Sequence, residues 1–260
     1  MKKEIGKKFE RLVKIMHKLR APGGCPWDRE QTPNSISSYL LEETYEALEA
    51  IDSGNAKEIK EELGDLLLQI VFQAQMAEEV KEVRRTNIGE IIDGICEKLI
   101  RRHPHVFDGK TVGNSREVLK NWEKIKKDEG KKTMLGGVPK TLPALLKAYR
   151  LGQKVSRVGF DWKNSEGVLK KIEEEARELH YAKKSGNKGE IEHEYGDLLL
   201  ILANLGRFLD LDPETALRKA NTRFINRFNW MEKEIEHLDL DIHNLSAKKW
   251  NKLWEEAKTH

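Results

Sequence analysis

The sequence predicts an all-α protein built from two tandem copies of one helical domain. Three observations support this prediction. Apolar residues recur at spacings of three and four along most of the 260 residues, whereas the alternating pattern of a β-strand is scarce. Short polar turns rich in Gly, Ser and Asn separate the amphipathic stretches. A series of matching residues recurs at a constant offset of 132 positions.

The first half of the chain is predicted to contain five helices, because its apolar residues follow the helical period between polar breaks. The turn at residues 52–55 contains Ser, Gly and Asn and separates the second helix from the third. Pro104, directly after His103, stops the fourth helix. The predicted helical stretches are residues 9–19, 37–51, 56–80, 88–102 and 115–127.

Residues 128–139 are predicted to form a linker, because they are rich in Gly and Lys and poor in apolar residues. Helical periodicity resumes behind them, and Pro213 suits the first turn of a long helix. The predicted helical stretches after the linker are residues 142–158, 168–184, 190–209, 213–237 and 245–258. We therefore predict an N-terminal domain at residues 1–127 and a C-terminal domain at residues 140–260.

The two halves match position by position when 132 is added to the residue numbers of the first half. The peptide Gly-Asp-Leu-Leu-Leu at residues 64–68, for example, returns at residues 196–200. The other matched pairs are Glu42 with Glu174, Glu43 with Glu175, Glu46 with Glu178, Glu62 with Glu194, Trp122 with Trp254, Glu123 with Glu255 and Lys126 with Lys258. One offset covers about eighty residues, which indicates a domain duplication.

The composition limits the classes of function. Lys and Arg number 47 and Asp and Glu number 44, so the formal net charge is only +3. A nucleic-acid-binding protein usually carries a concentrated basic surplus, so we expect no nucleic-acid partner. Cys25 and Cys96 are too few for a disulfide framework. We expect a cytoplasmic protein with no membrane partner, because the sequence shows no signal peptide and no apolar run near the ~20 residues of a membrane span.

Acidic residues on successive helices are the candidate functional cluster. Glu43 and Glu46 are three residues apart and share one helical face, and Glu62 and Asp65 do so on the next helix. The intervening turn makes these helices antiparallel neighbours, so the two acidic faces can converge. Carboxylates this close need a countercharge, and all-oxygen ligation favours Mg²⁺, Mn²⁺ or Ca²⁺ over zinc or copper. The second half repeats the pattern with Glu175, Glu178, Glu194 and Asp197.

The alternative interpretation of any one acidic pair is a solvated helix face, which is the usual role of Glu at helical spacing. Two features favour a metal site here. The acids flank apolar runs such as Leu-Leu-Leu at residues 66–68, and the whole pattern recurs at the fixed offset. Gly64 and Gly196 lie inside the helices at a cost of roughly 1 kcal/mol each relative to Ala, and we expect a close approach between helices to explain that cost.

Several motifs make the chain similar to the MazG family. They are Gly-Cys-Pro-Trp-Asp at 24–28, Gln-Thr at 31–32, Leu-Glu-Glu-Thr-Tyr-Glu at 41–46, Glu-Leu-Gly-Asp-Leu-Leu at 62–67, Arg-Arg-His-Pro-His-Val-Phe at 101–107, Val-Gly-Phe-Asp-Trp at 158–162, Lys-Ala-Asn at 219–221 and Arg-Phe at 227–228. The resemblance covers nearly the whole chain. It implies two tandem domains of four-helix-bundle type, intertwined homodimers and Mg²⁺-dependent hydrolysis of nucleoside triphosphates to the monophosphate and pyrophosphate.

The resemblance also implies roles for the acidic residues. The metal ligands of the family fall on Glu43, Glu46, Glu62 and Asp65, and on Glu175, Glu178, Glu194 and Asp197. Glu42 and Glu174 become candidates for positioning or deprotonating the attacking water. The implied cofactor is Mg²⁺, with Mn²⁺ as a substitute.

Basic and aromatic residues complete the site that the resemblance implies. The phosphate-binding pair of the family falls on Arg223 and Arg227, although family members more often have Lys at the first of these positions. Lys98 and Arg102 have the same spacing in the first half, with Arg101 beside them. The base-stacking position of the family falls on Trp254, and Trp122 is its counterpart in the repeat.

The function that we expect is the hydrolysis of ribo- and deoxyribonucleoside triphosphates with a broad range of bases, which clears unwanted or non-canonical nucleotides. One alternative is a narrower helical enzyme that acts on dUTP, dCTP or phosphoribosyl-ATP. Another is a non-catalytic helical regulator with metal-stabilised bundles. The duplicated architecture and the motifs at residues 25–28 and 101–105 favour the first function.

Overall fold

The computed structural model describes residues 2–80, 86–109, 111–114, 117–118, 121–122, 125 and 133–259. Every regular element in the described ranges is a helix, so the all-α prediction is confirmed. The chain divides into two compact units, Met1–Ser115 and Arg116–His260. Most of the predicted helix at 115–127, including Glu123 and Lys126, and residues 128–132 of the predicted linker lie outside the described residues.

The N-terminal unit is organised around its longest helix. The helices are α1 (Lys2–Arg20), α2 (Pro26–Glu30), α3 (Ser37–Ser53), α4 (Ala56–Glu79), α5 (Ile88–Arg102) and α6 (Pro104–Phe107). α4 packs against α1, α3 and α5. The core between these helices consists of Met16, Ile36, Val71, Phe72 and Met76, all less than 5% exposed.

The C-terminal unit repeats the central helical pair and adds a second core. Its helices are α7 (Ala144–Ser156), α8 (Ser165–Ser185), α9 (Lys188–Phe208), α10 (Pro213–His237), a short 3₁₀ helix (Ile242–Asn244) and α11 (Ala247–Ala257). α9 packs against α8 and α7, and α10 packs against α7 and α11. Met231, Ile235, Leu253 and Ala257 form a buried cluster between α10 and α11.

The turn between α8 and α9 has the same hydrogen bonds as the turn between α3 and α4. Gly54 ends α3 with φ of 72°, and Gly186 ends α8 with φ of 74°, a left-handed conformation that favours glycine. The Asn after each glycine caps the next helix through its side-chain oxygen and donates its amide to Glu58 or Glu190. The turn fixes the antiparallel pairing of the two helices in both units.

Most of the predicted helix ends lie within three residues of the observed ones. α1 begins seven residues before Phe9, the first of its periodic apolar residues, and the short helices α2 and α6 were not predicted. The close helix approach expected at Gly64 and Gly196 is not observed, because a Cβ atom at either position would meet no described atom within 4 Å. α2 has only five residues, so it has no measurable period, although Pro26 at its first position is a helix-start signal. No described helix combines the length and the apolar character needed to cross a bilayer.

α5 and α10 expose apolar surface. None of the residues of α5 is buried, and Ile91, Ile95 and Leu99 are 40–45% exposed on one side of that helix. On α10, Phe224 and Ile225 are more than half exposed. The exposed apolar residues of α5 recur every four residues and so lie along one side of the helix, which is typical of an interaction site.

Candidate functional site

An acidic triad lies between α3 and α4 in the N-terminal unit. It consists of Glu43, Glu62 and Asp65. Each residue offers one carboxylate oxygen, and these oxygens all lie within 4.8 Å of one another. We call this group the N-terminal triad. Carboxylates at this distance repel one another unless a cation lies between them.

The electrostatics of the N-terminal triad show that repulsion. Partial burial, followed by the charge of Asp65, raises the pKa of Glu43. Partial burial, followed by the charge of Glu46, raises the pKa of Glu62. The side chain of Gln69 opposes the shift at Glu43, because its amide donates a hydrogen bond to that carboxylate. The triad is therefore short of positive charge.

A second acidic triad lies between α8 and α9 in the C-terminal unit. Glu175, Glu194 and Asp197 each offer a carboxylate oxygen, again within 4.8 Å of one another. We call this group the C-terminal triad. Glu175 is only 5% exposed, so its charge is largely removed from water. His193 also approaches the triad, with its Nε2 3.3 Å from a carboxylate oxygen of Asp197.

Lys171 distinguishes the C-terminal triad from the N-terminal one. Its Nζ lies 2.8 Å from Oε1 of Glu174 and 2.8 Å from Oε1 of Glu175. The Glu174 carboxylate, followed by that of Glu175, raises the pKa of Lys171 above its usual range. The position 132 residues earlier holds Tyr39, whose ring packs edge-on against Trp27. A cation is thus built into one triad, whereas the matching position of the other carries an uncharged ring.

The donor sets of both triads fit a hard divalent cation, because they consist of carboxylate oxygens alone. The N-terminal triad offers a further sign of a polar ligand. Oε1 of Gln69 is buried and has no hydrogen-bond partner within the described residues.

Four acids predicted for the sites lie outside the triads in the described part of the chain. Glu46 and Glu178 are exposed, although Glu46 is close enough to raise the pKa of Glu62. Glu42 is exposed, and the side chain of Glu174 is 50% exposed and bonded to Lys171. Their roles as a fourth ligand or as the group that activates water stay predictions.

The predicted phosphate-binding residues lie on other helices than the triads. Lys98, Arg101 and Arg102 are on α5, which packs against α4 and α6. Arg223 and Arg227 are on α10, which packs chiefly against α7 and α11 rather than against the helices of the C-terminal triad. Their contact with phosphate stays a prediction.

The predicted base-stacking tryptophans have different surroundings. Trp122 is half-buried. Trp254 belongs to an aromatic cluster of α10 and α11, with its ring centroid 5.4 Å from that of Phe224. The guanidinium of Arg227 lies 5.5 Å from the centroid of the same Trp254 ring. Two predicted site residues, Arg227 and Trp254, therefore contact each other.

Sequence reasoning missed Lys171 and Gln69. The spacing from Lys171 to Glu174 and Glu175, three and four residues on one helix, was an available signal. Gln69 follows Asp65 by four residues and shares its face in the same way. Neither stood out among so many charged and polar residues at helical spacing.

Comparison with known proteins places both triads in recognised domains. The family described as MazG nucleotide pyrophosphohydrolase domain matches residues 31–107, which include the N-terminal triad. The family described as phosphoribosyl-ATP pyrophosphohydrolase matches residues 156–224, which include the C-terminal triad.

Two relatives match almost from end to end. The nucleoside triphosphate pyrophosphohydrolase/pyrophosphatase MazG of Thermotoga maritima is 51% identical over 259 residues, which are 98% of each chain. The nucleoside triphosphate pyrophosphohydrolase of Escherichia coli strain K12 is 40% identical over 257 residues, 96% of this chain and 97% of the relative.

Proposed function

Because the chain belongs to the MazG family of nucleotide pyrophosphohydrolases, we propose that it hydrolyses nucleoside triphosphates to the monophosphate and pyrophosphate. The proposed substrates include ribo- and deoxyribonucleotides with a broad range of bases. The observation that carries the proposal is the acidic triad, which occurs once in each unit. The names of the two full-length relatives support the same reaction.

The proposed cofactor is Mg²⁺, with Mn²⁺ as a substitute. Glu43, Glu62 and Asp65 would hold it in the N-terminal unit; the corresponding residues of the C-terminal unit are Glu175, Glu194 and Asp197. When bound, Mg²⁺ supplies charge neutralisation and Lewis acidity at the phosphates. Glu46 and Glu178, one helical turn away, are the proposed additional ligands.

Other side chains are proposed to activate the attacking water and to bind the phosphates. Glu42 and Glu174 are proposed to orient the attacking water and to accept its proton. The Nζ of Lys171 lies 2.8 Å from Oε1 of Glu174, and this contact fixes the position of the carboxylate. Cations are proposed to bind the phosphates and stabilise the leaving pyrophosphate, namely Lys98, Arg101, Arg102, Arg223 and Arg227.

A homodimer is the proposed assembly. The exposed apolar residues of α5 and α10 support it, because exposed apolar surface of a helix is often covered by a partner. The proposed phosphate-binding cations lie on the same two helices, so dimerisation and substrate binding would depend on the same elements.

A second candidate substrate is phosphoribosyl-ATP. It is favoured by the match of residues 156–224 to the family described as phosphoribosyl-ATP pyrophosphohydrolase. The broad nucleotide substrates remain the preferred proposal, since both full-length relatives are named for nucleoside triphosphates. The proposed biological role, the removal of unwanted or non-canonical nucleotides, follows from that breadth.

The test is a product assay with ATP, GTP, CTP, UTP, the four deoxynucleotides and phosphoribosyl-ATP in the presence of Mg²⁺. We expect pyrophosphate rather than orthophosphate from the nucleoside triphosphates. Orthophosphate alone would identify an ordinary phosphatase, and turnover of phosphoribosyl-ATP alone would select the second candidate. Absence of turnover with every substrate would refute the proposal.

The contribution of each unit follows from matched variants. Glu43→Gln and Glu175→Gln each remove one charge from one triad while preserving the side-chain shape. We expect each single variant to lose the turnover of its own unit and the double variant to lose all pyrophosphate release. A double variant with unchanged activity would show that the triads are not the catalytic centres.

A further inference from the structure

Gln69 of α4 is a buried polar side chain on the acidic face of the N-terminal triad. It follows Glu62 by seven residues and Asp65 by four, so the three side chains lie on one face of the helix. Gln69 is 8% exposed, whereas glutamine is mostly found at protein surfaces. A buried amide needs hydrogen bonds within the protein to offset its loss of water.

The amide nitrogen of Gln69 connects α4 to α3. It donates a hydrogen bond to the carboxylate of Glu43, which lies on the other helix of the antiparallel pair. This bond orients one of the three acidic groups of the triad. A metal-ligating carboxylate is commonly held by such a hydrogen bond, and a group that is ordered in advance loses less entropy when the cation binds.

The carbonyl oxygen of Gln69 lies close to the same carboxylate. The covalent geometry of an amide places its nitrogen and oxygen about 2.2 Å apart. Because the nitrogen is bonded to Glu43, Oε1 of Gln69 lies within roughly 5 Å of the carboxylate oxygen that accepts the bond. Oε1 is buried and has no partner among the described residues. Ionised carboxylates cannot supply the missing donor, since they only accept hydrogen bonds.

A hydrated divalent cation matches this arrangement of oxygen atoms. Three carboxylate oxygens lie within 4.8 Å of one another, and the Gln69 oxygen is a fourth acceptor beside them. Mg²⁺ in proteins usually keeps several of its water molecules, which donate hydrogen bonds to neighbouring oxygens. The ion would therefore neutralise the carboxylates, and its water shell would satisfy the buried carbonyl oxygen.

The C-terminal unit holds its triad in a different way. The position 132 residues after Gln69 is Ile201, which is buried and has an apolar side chain. The carboxylate of Glu175 is held instead by Lys171, whose Nζ lies 2.8 Å from Oε1 of that residue. An ammonium group competes with a metal ion for the carboxylate, whereas a neutral amide does not. The two side chains therefore affect cation binding in opposite directions.

We propose that Gln69 is a positioning residue of the N-terminal cation site, where its N–H fixes Glu43 and its carbonyl oxygen accepts a hydrogen bond from the water shell of the bound cation. The inference rests on the proposed function, because this cation is the cofactor named there. It adds a residue to the site and predicts that the amide strengthens the binding of the cation before a nucleotide is present.

Mn²⁺ titration of the full chain, followed by electron paramagnetic resonance without nucleotide, tests the proposal. The parent for this test carries Glu175→Gln, which removes one ligand of the C-terminal triad. Gln69→Met in that parent keeps the length of the side chain and removes both polar atoms. Loss of a hydrogen bond to a metal ligand typically lowers metal affinity 10–100-fold, so we expect the Mn²⁺ affinity to fall about tenfold. An unchanged affinity would overturn the proposal.

Gln75→Met is the matched control, because Gln75 is another buried glutamine of α4. It is 6% exposed, and its amide donates a hydrogen bond to Oε1 of Glu79 at 3.1 Å rather than to the triad. We expect this variant to keep the Mn²⁺ affinity of the parent. An equal loss of affinity in Gln69→Met and Gln75→Met would count against a specific role of Gln69 and overturn the proposal.

Thermal melts distinguish positioning from a purely structural role. In EDTA, Gln69→Met should melt within about 3 °C of the parent, because the change removes a buried unpaired oxygen together with one hydrogen bond. The same concentration of Mn²⁺ should then raise the melting temperature of the variant less than that of the parent, and an equal rise would contradict the proposal. If Gln69→Met is unfolded in EDTA, Gln69→Ile, which copies the residue at position 201, replaces it with the same expected loss of affinity.

The outcomes for this inference and for the proposed function are distinguishable. Weaker Mn²⁺ binding by Gln69→Met in a protein that hydrolyses no nucleotide would support the inference and refute the proposed function. Unchanged Mn²⁺ binding by Gln69→Met in a protein that releases pyrophosphate would overturn the inference alone. Mn²⁺ binding that does not depend on Glu43 would overturn both the inference and the proposed cofactor site of the N-terminal unit.

Discussion

Replacement of Lys171 by Met should tighten the binding of a divalent cation to the C-terminal triad in the absence of nucleotide. The Lys171 ammonium lies 2.8 Å from the carboxylate of Glu175, so it competes for a ligand of the cation. Two unit charges at this distance attract each other by about 1.5 kcal/mol at the dielectric constant of water and about 6 kcal/mol at an effective value of 20.

The lower end of that range applies, because the Lys171 side chain is 33% exposed and partly screened by water. Ion pairs in such settings contribute ~0.2–1 kcal/mol when measured. We therefore expect the affinity for Mn²⁺ to rise by about fivefold, which corresponds to about 1 kcal/mol.

Mn²⁺ titration followed by electron paramagnetic resonance measures this change directly. The experiment uses the Glu43→Gln background, which removes one ligand of the N-terminal triad. Mn²⁺ binding is then observed at the C-terminal triad only. Lys170→Met is the matched control, because it removes the same charge from the neighbouring, exposed position of α8. Unchanged or weaker Mn²⁺ binding in Lys171→Met, or an equal gain in Lys170→Met, would refute the reasoning.

Three further outcomes are expected. In EDTA, the raised pKa values of Glu43 and Glu62 mean that these groups hold protons more tightly in the folded state than in the unfolded chain. Their stabilising contribution is therefore complete below pH about 4.5 and is lost as pH rises through the folded pKa. In thermal melts from pH 4 to 7, the melting temperature of Glu43→Gln should decline less than that of the parent protein, and equal declines would contradict this. Phe72→Ala, in the buried N-terminal core, should lower the free energy of unfolding by about 3–5 kcal/mol in urea titrations, whereas the exposed Ile5→Ala should change it little. Ile95→Glu on α5 should shift the mass measured by light scattering from dimer to monomer, and a monomeric parent protein would disprove the proposed dimer.

Features set by local spacing were predictable from the sequence. The turn at residues 52–55 contains the Gly that a left-handed helix end favours and the Asn that caps the next helix. The end of α3 and the start of α4 could therefore be predicted from residue type. The shared faces of Glu62 with Asp65 and of Glu194 with Asp197 followed from the helical period.

Features set by packing were not predictable. A Cβ atom at Gly152 of α7 would lie 1.7 Å from Oδ1 of Asn204 on α9, although these two residues are 52 positions apart in the chain. The contact between Arg227 and Trp254 likewise requires α10 to lie against α11. A one-dimensional pattern shows which face a residue occupies but not which residue stands opposite.

The repeated turn has an evolutionary consequence. Both copies keep the Ser-Gly-Asn turn and its hydrogen bonds. The geometry that brings the acidic residues of the two helices together is therefore the same in both copies. Phe72 and Asn204 differ between the copies and lie fourteen residues, about four helical turns, beyond Glu58 and Glu190, where substitution leaves the turn intact. The helical hairpin is therefore an inherited module around which the side chains of the two copies diverge.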